Sequence, residues 1–248
     1  MTVRLWRTLL LAIGLVMAAG AMTAGALHAA PVVVLSSTVP GLQPGSMVDS
    51  ATAVAVPAGG MVMINDAAGK TRTIAGPYDG PIGETAAKAG DGGMMANLGR
   101  LVASRDTEQT RLGAVRAAPD QQLRDPALIT VAHSATQCGL PEAPLRLWRP
   151  GTMDGDNRLT ITDLASGASA ERVWHAGRTV IDWPATLPAR DGARYRIRLE
   201  IAPRPVELEL HRAPAGLDTP ARLAAWMESV GCRRQALLLL DTLTAPQG

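Results

Sequence analysis

Residues whose chemistry could do work are few in this chain of 248 residues. Three histidines outside the N-terminal segment, His133, His175 and His211, and the serine beside the first, Ser134, supply the parts of a hydrolytic triad on paper. No Gly-x-Ser-x-Gly elbow leads into a helix, and Ser134 follows a strand-like run without nucleophile context. Each histidine falls at or beside a strand end, where a solvated surface role is usual. Asp154, Asp156, Asp163 and Asp182 offer carboxylates that could converge in a cleft, the arrangement that hydrolyses glycosidic bonds. Gly90 to Gly93 lacks the Gly-Lys-Ser/Thr ending of a phosphate loop and reads as linker. Trp148, Trp174 and Trp183 could line a carbohydrate face, although tryptophan on a short strand is more often core. No residue is assigned a catalytic role, and no cofactor is expected.

Cys138 and Cys232 are the only cysteines. Two cysteines in an exported protein usually pair, and this pair would close a loop of 94 residues. In the chain-entropy treatment such a closure contributes about 4–5 kcal/mol. A redox pair would call for Cys-x-x-Cys, and a metal site for His or carboxylate partners near the cysteines; neither pattern is present. The run Thr152 to Asp163 resembles a degenerate calcium loop of the EF-hand or dockerin kind. The resemblance implies Asp154, Asp156 and Asp163 as ligands at the third, fifth and last positions, with Asn157 in place of the turn glycine. Thr152 stands where the first carboxylate belongs, and Arg158 to Thr162 alternates like a strand, so a Gly/Asp-rich hairpin turn is the plainer reading.

These residues depend on where the chain works. Arg4 and Arg7 precede an apolar run, Leu9 to Met17, and a tract of small residues up to Ala30, with no acid before Asp49. Basic, apolar and small, in that order, is the pattern of a secretion signal over residues 1–30. A retained membrane anchor is the alternative, since the run and the tract together are about long enough to span a bilayer. The whole chain carries +2; without Arg4 and Arg7 the remainder is neutral. That balance recruits neither nucleic acid nor an anionic surface, so a membrane partner is expected only if the leader stays attached. With no Phe in the chain, the cores must be built from aliphatic residues, Met and a few Trp.

The remaining chain reads as two parts. Val32 to Leu35, Thr52 to Val56, Gly60 to Ile64 and Thr71 to Ile74 are short, β-prone and separated by turn residues, the grammar of a small sheet over 31–82. The stretch Ala55 to Gly80, AVPAGGMVMINDAAGKTRTIAGPYDG, resembles the strand–turn–strand units of FecR-type periplasmic domains. The resemblance implies a β unit in the envelope and, where a membrane tether is present, a role in envelope sensing. Residues 83–125 read as a linker with a short amphipathic helix on Met94, Met95, Leu98, Leu101 and Val102. Thr107 to Asp125 reads as an exposed connector.

From Pro126 onward, six or seven segments between Ala127 and His211 alternate with period two, which implies an antiparallel sandwich. Arg194, Arg196 and Arg198 share one face, as do Glu207, Glu209 and His211. A hairpin with its loop near Glu200 to Pro205 would place Arg198 against Glu207 and Arg196 against Glu209, with Tyr195, Ile197, Leu208 and Leu210 inward. Thr219 followed by Pro220 opens a helix, with Leu223, Trp226, Met227 and Val230 as its apolar stripe. A second helical run through Leu243 is expected to lay Ala236, Leu237, Leu239 and Leu240 on the sheet.

The expected fold is therefore mainly β: a small N-terminal sheet, then a disulfide-closed β-sandwich over 126–248 with a helical tail. The expected function is non-catalytic binding or scaffolding in the bacterial periplasm, with another envelope protein or a peptidoglycan-associated molecule as partner. A cell-wall or glycan hydrolase and a membrane-anchored FecR-like sensor are the alternatives.

Overall fold

A computed structural model describes residues 29–83, 92–111 and 123–244. The secretion segment up to His28, most of the expected Glu84–Gly93 linker and the centre of the expected connector lie outside the described residues. The described chain is mainly β, with strands in four sheets and three helices.

The N-terminal strands are β1 (Pro31–Ser37), β2 (Met47–Asp49), β3 (Ala53–Val56), β4 (Met61–Asn65), β5 (Thr71–Ala75) and β6 (Tyr78–Pro81). They form a four-stranded sheet in the order β2-β1-β4-β5 and a two-stranded sheet β3-β6. The β4–β5 hairpin turns on Asp66, whose side chain accepts the N–H groups of Ala68 and Lys70 at 2.9 and 2.8 Å while Gly69 takes φ +80°. An Asx turn closed by a left-handed glycine is why this Asn-Asp…Gly-Lys segment reverses tightly. Strand β1 is buried on both faces. Val32 and Val34 enter a core with Val54, Val56, Val62, Ile64, Ile74 and Ile82, whereas Val33 and Leu35 face helical residues. That two-sided burial explains its continuous apolar run.

The helix expected at Met94 to Val102 is longer than that stripe suggests. It is α1 (Gly92–Arg111), and Met95, Leu98, Leu101 and Val102 are buried in it. Thr107 thus falls inside the helix and not at the start of a connector, and Leu123 is buried beside Leu128 and Trp148. The region between the two parts therefore helps build a shared core and does more than link them.

The C-terminal strands are β7 (Leu128–Thr130), β8 (Ala135–Gly139), β9 (Arg146–Trp148), β10 (Asn157–Asp163), β11 (Ser169–Trp174), β12 (Val180–Asp182), β13 (Ala193–Leu199) and β14 (Val206–Arg212). One sheet runs β11-β10-β13-β14-β8 and the other β12-β9-β7. They enclose Ile129, Leu147, Leu159, Ile161, Trp174, Tyr195, Ile197 and Leu208, and Trp183 meets Tyr195 edge to face at 5.0 Å. Two pairings are parallel, β8 with β14 and β7 with β9. Period-two alternation is the same in parallel and antiparallel strands, so it cannot distinguish them.

The β13–β14 hairpin keeps the expected faces but slips by two residues. Arg196 lies opposite Glu207 and Arg194 opposite Glu209, and Glu207 accepts from both Arg194 and Arg196 at 2.8 and 3.0 Å. Pro203 and Pro205 cannot donate to a ladder, so β14 joins β13 only from Val206, opposite Ile197. A two-residue slip leaves every side chain on its original face.

Helices α2 (Pro220–Ser229) and α3 (Arg233–Thr244) follow. Thr219 caps α2 by accepting the Arg222 N–H at 3.3 Å, with Pro220 in the first turn. The tail was expected on the tryptophan-bearing sheet, but its buried Leu223, Ala224, Met227, Ala236 and Leu240 pack instead with α1, Val33 and Leu35. The helices form a third layer between the two β parts. Their tie to the sandwich is the Cys138–Cys232 disulfide, Cα to Cα 5.9 Å, which joins β8 to the turn between α2 and α3.

Gln235, one helical turn from that bond, is 3% exposed. Its Oε1 accepts the Cys138 N–H at 2.8 Å, and its Nε2 donates to the carbonyls of Cys138 and Pro126, each at 2.8 Å. The side-chain amide thus completes the outer edge of β8 as a neighbouring strand would. Replacing Gln235 with Leu should leave those buried backbone groups unpaired and lower stability by about 2–4 kcal/mol. Reduction of the disulfide should cost about 4–5 kcal/mol by chain entropy. Urea unfolding of wild type, Q235L and reduced protein measures both, and a Q235L midpoint equal to wild type would refute the edge-completing role.

Candidate functional site

The sequence-level candidates separate in space. Asp156 and Asp163 stand just before and at the end of β10, roughly 20 Å apart along a strand of that length, so no single cation bridges them. Asp154 is exposed in the preceding loop. Asp156 accepts the Ala176 N–H at 2.9 Å and meets His175 Nδ1 at 2.9 Å. The Ala176 amide first, and then His175, hold its carboxyl below the ordinary carboxylate range. Asp163 is 3% exposed and serves the turn after β10. Burial opposes its ionisation, but the N–H groups of Ala165 and Ser166 and the Arg190 guanidinium outweigh burial and keep its pKa low. The calcium-loop pattern is therefore turn chemistry at two ends of one strand. Among the described residues no three His, Cys, Asp or Glu side chains gather as a metal-binding set.

The triad candidates separate as well. The Ser134 hydroxyl accepts the Glu207 N–H at 2.8 Å and fixes the start of β14. His133 is exposed, and His211 lies 3.5 Å from Asp191 and 3.4 Å from Glu209 on the sheet surface. Trp148 and Trp174 are core residues, 9% and 0% exposed. Trp174 Nε1–H donates to the Arg178 carbonyl at 2.9 Å, and Trp183 Nε1–H to the Leu187 carbonyl at 2.7 Å. Trp148 and Trp174 therefore serve packing, and Trp183 is half-buried with its ring against Tyr195.

The feature that does suit a ligand is a seam. The two sheets of the sandwich approach each other along two sides, and the sides are treated differently. At the β7/β8 side, Gln137 is 3% exposed. Its Oε1 accepts the Thr130 N–H and its Nε2 donates to the Thr130 carbonyl, both at 2.7 Å. This buried amide spans the gap as a strand would. At the opposite side β11 and β12, consecutive in the chain, belong to different sheets and diverge from the turn His175–Thr179. Between them lies an open crevice of ≈ 460 Å³ lined by Glu171, Arg172, Val173, His175, Arg178 and Asp182.

Two arginines mark this seam, and sequence reasoning passed over both. Leu145, Leu147 and Arg149 share a face by alternation, and so do Ala170, Arg172 and Trp174; the buried leucines, Ala170 and Trp174 show that both faces point inward. Arg149 is 8% exposed and stacks over Trp174 at 5.5 Å, with its Nη2 donating to the Arg178 carbonyl at 3.4 Å. Burial lowers its pKa, and the ring face supplies the attraction that a carboxylate otherwise would. Arg172 holds the inward register between Ala170 and Trp174 yet is exposed, because no wall stands opposite it among the described residues. An arginine at an inward position of an alternating strand was the signal available in the sequence.

Chemically the crevice holds both charge signs, Arg172 and Arg178 against Glu171 and Asp182. Its carboxylates, Glu171 and Asp182, are exposed to solvent. Compared with known proteins, the chain matches no protein-family model and no curated protein.

The pKa direction of Asp163 yields a signed test. Its depressed value means that the ionised carboxyl stabilises the fold fully above the unfolded value of about 3.9, and that this contribution fades as pH falls through the folded value. Asp163→Asn should lower the thermal midpoint at pH 7, with the gap to wild type narrowing below pH about 4. A gap independent of pH would show that the carboxylate charge plays no part.

Proposed function

We propose that this is a non-catalytic binding or scaffolding protein of the bacterial cell envelope, acting after export. The observation that carries the reading is the crevice between β11 and β12: a solvent-open, mixed-charge surface on a scaffold whose other seam is sealed. The disulfide is compatible with an oxidising exported compartment. No helix among the described residues is long and apolar enough to cross a membrane. The FecR-like strand pattern of residues 55–80 agrees with an envelope role, with the partner being another envelope protein or a peptidoglycan-associated molecule.

Lysine cross-linking has little to act on in a chain with only Lys70 and Lys88, so carboxyl-directed cross-linking of the tagged protein in intact cells is the suitable experiment. A stoichiometric adduct with one envelope component is expected. Its absence, together with the protein recovered only alone, would count against binding as the function. N-terminal sequencing of the exported product separates a released protein from an anchored sensor.

A second reading draws on the same place. Glu171 and Asp182 both line the crevice, so a glycan hydrolase would use them, and not the Asp154–Asp163 set. Dye release from labelled peptidoglycan, abolished by Glu171→Gln, would replace the binding reading with this one; no release is expected.

A further inference from the structure

We propose that an extended polypeptide segment of a partner protein adds as a strand to the outer edge of β11, inside the crevice that faces β12. This rests on the binding reading above and names the partner chemistry for that site.

The first support is the direction of the backbone. Asp163 N–H donates to the Ala168 carbonyl at 2.8 Å, and Glu200 N–H to the Arg158 carbonyl at 2.9 Å. Continued along the observed pairings, odd residues of β10 bond β11 and even ones bond β13. The β11 residues bonded inward are therefore Ala170, Arg172 and Trp174, opposite Ile161, Leu159 and Asn157. Ser169, Glu171 and Val173 direct their N–H and C=O groups away from the sheet, toward the crevice. Among the described residues no backbone partner takes those of Glu171 and Val173.

The second support is the contrast with the other side of the sandwich. There Gln137 satisfies Thr130, and Gln235 satisfies Cys138, with the N–H and C=O both bonded in each case. Such surrogate strands close an edge against any newcomer. Among the described residues the β11 edge has no surrogate, and the crevice in front of it has room for a chain.

Charge identifies the newcomer. Glu171 is 60% exposed and touches Arg158 only at 3.9 Å, so it can still accept from a basic side chain. Arg172 and Arg178 stand beside it for an acidic one. A polypeptide carrying both signs matches this surface, whereas a uniformly anionic glycan or nucleic acid meets Glu171 and Asp182. A second copy of this chain matches poorly. Two-fold antiparallel pairing opposes residues of the same parity, so the two registers with fullest overlap set Glu171 against Glu171 or Arg172 against Arg172. Main-chain bonds would supply affinity and these charges the choice of sequence, as in other strand-addition sites.

The probe is a phage library of random peptides of about ten residues, panned on the full-length oxidised protein. Enriched peptides should carry basic and acidic residues in alternation and lack Pro at alternate positions. Val173→Pro removes an outward N–H without taking a ladder bond from β10. It should leave the thermal midpoint near wild type and weaken the selected peptides at least about tenfold. Amide exchange gives a finer readout that needs no variant: Arg172 is protected already, while Glu171 and Val173 gain at least about tenfold protection only with peptide bound. Should V173P fold poorly, Glu171→Lys serves instead, and it should shift selection toward peptides with an acid at the facing position.

No enrichment, equal binding by V173P or by E171K, or protection that skips Glu171 and Val173 would each overturn strand addition, as would dimerisation through β11. A cross-linked envelope partner bound equally well by V173P would leave the binding reading standing and remove only the strand-addition site.

Discussion

The structure depends most on how one β-strand edge is finished. β8 bonds β14 on one side, and on the other its Cys138 is held three ways: by the disulfide to Cys232 and by the Gln235 amide at both its N–H and its C=O. A buried edge strand without partners costs several unpaired backbone groups. Because the partners here come from the α2–α3 region, the sandwich cannot present a finished edge unless the helices are docked. The helices in turn bury Val33 and Leu35 of the first strand. The covalent bond shortens the search for this arrangement, while the glutamine makes it specific: an aliphatic residue at 235 would fill space but leave the strand edge unfinished.

The same logic explains why the two β parts are not independent units. β1 gives Val32 and Val34 to the small sheet core and Val33 and Leu35 to the helical layer. With both faces committed, it cannot fold against one neighbour alone without exposing two aliphatic side chains to water. α1 then reaches across to α3, where Arg105 bonds Thr244 and pairs with Asp241 at 3.1 Å. The order of layers is small sheet, helices, sandwich, with the first strand of the described chain and the last helix in the same core.

Much of this was legible in the sequence, and the failures have physical causes. Alternation gave most of the C-terminal strands and the faces of β13 and β14, down to exposed Arg194 and Arg196 over buried Tyr195 and Ile197, but β2, β6 and β8 were not read as strands. Thr219-Pro220 named the start of α2, and two cysteines named the covalent tie. Pairing direction and register were not legible, since a period of two is blind to parallel versus antiparallel neighbours and to slips by two. The placement of the helices also escaped, because an amphipathic stripe states that something is covered and not what covers it. The candidate carboxylates Asp154, Asp156 and Asp163 read more plainly as turn residues than as a calcium loop, and Asp156 and Asp163 serve turns at the two ends of one strand.

Glutamine and arginine carried the information that mattered at the seams. Gln137 and Gln235 are buried polar residues to which the sequence reading gave no role; both act as pieces of backbone, possible because a primary amide offers the same donor and acceptor as a peptide group. Arg149 and Arg172 likewise break the apolar alternation of their strands, but face the opposite side of the sandwich. One closes over Trp174, held by the ring face and by one bond to the Arg178 carbonyl; the other is exposed, with no wall facing it among the described residues. A charged residue at an inward position is a recognised way to discourage a strand edge from pairing with copies of itself. Here the discouragement is selective, because Glu171 and Arg172 repel themselves and attract opposite charges. An edge guarded in that manner is closed to its own kind and open to a complementary chain, whereas the edge finished by glutamines is closed to both.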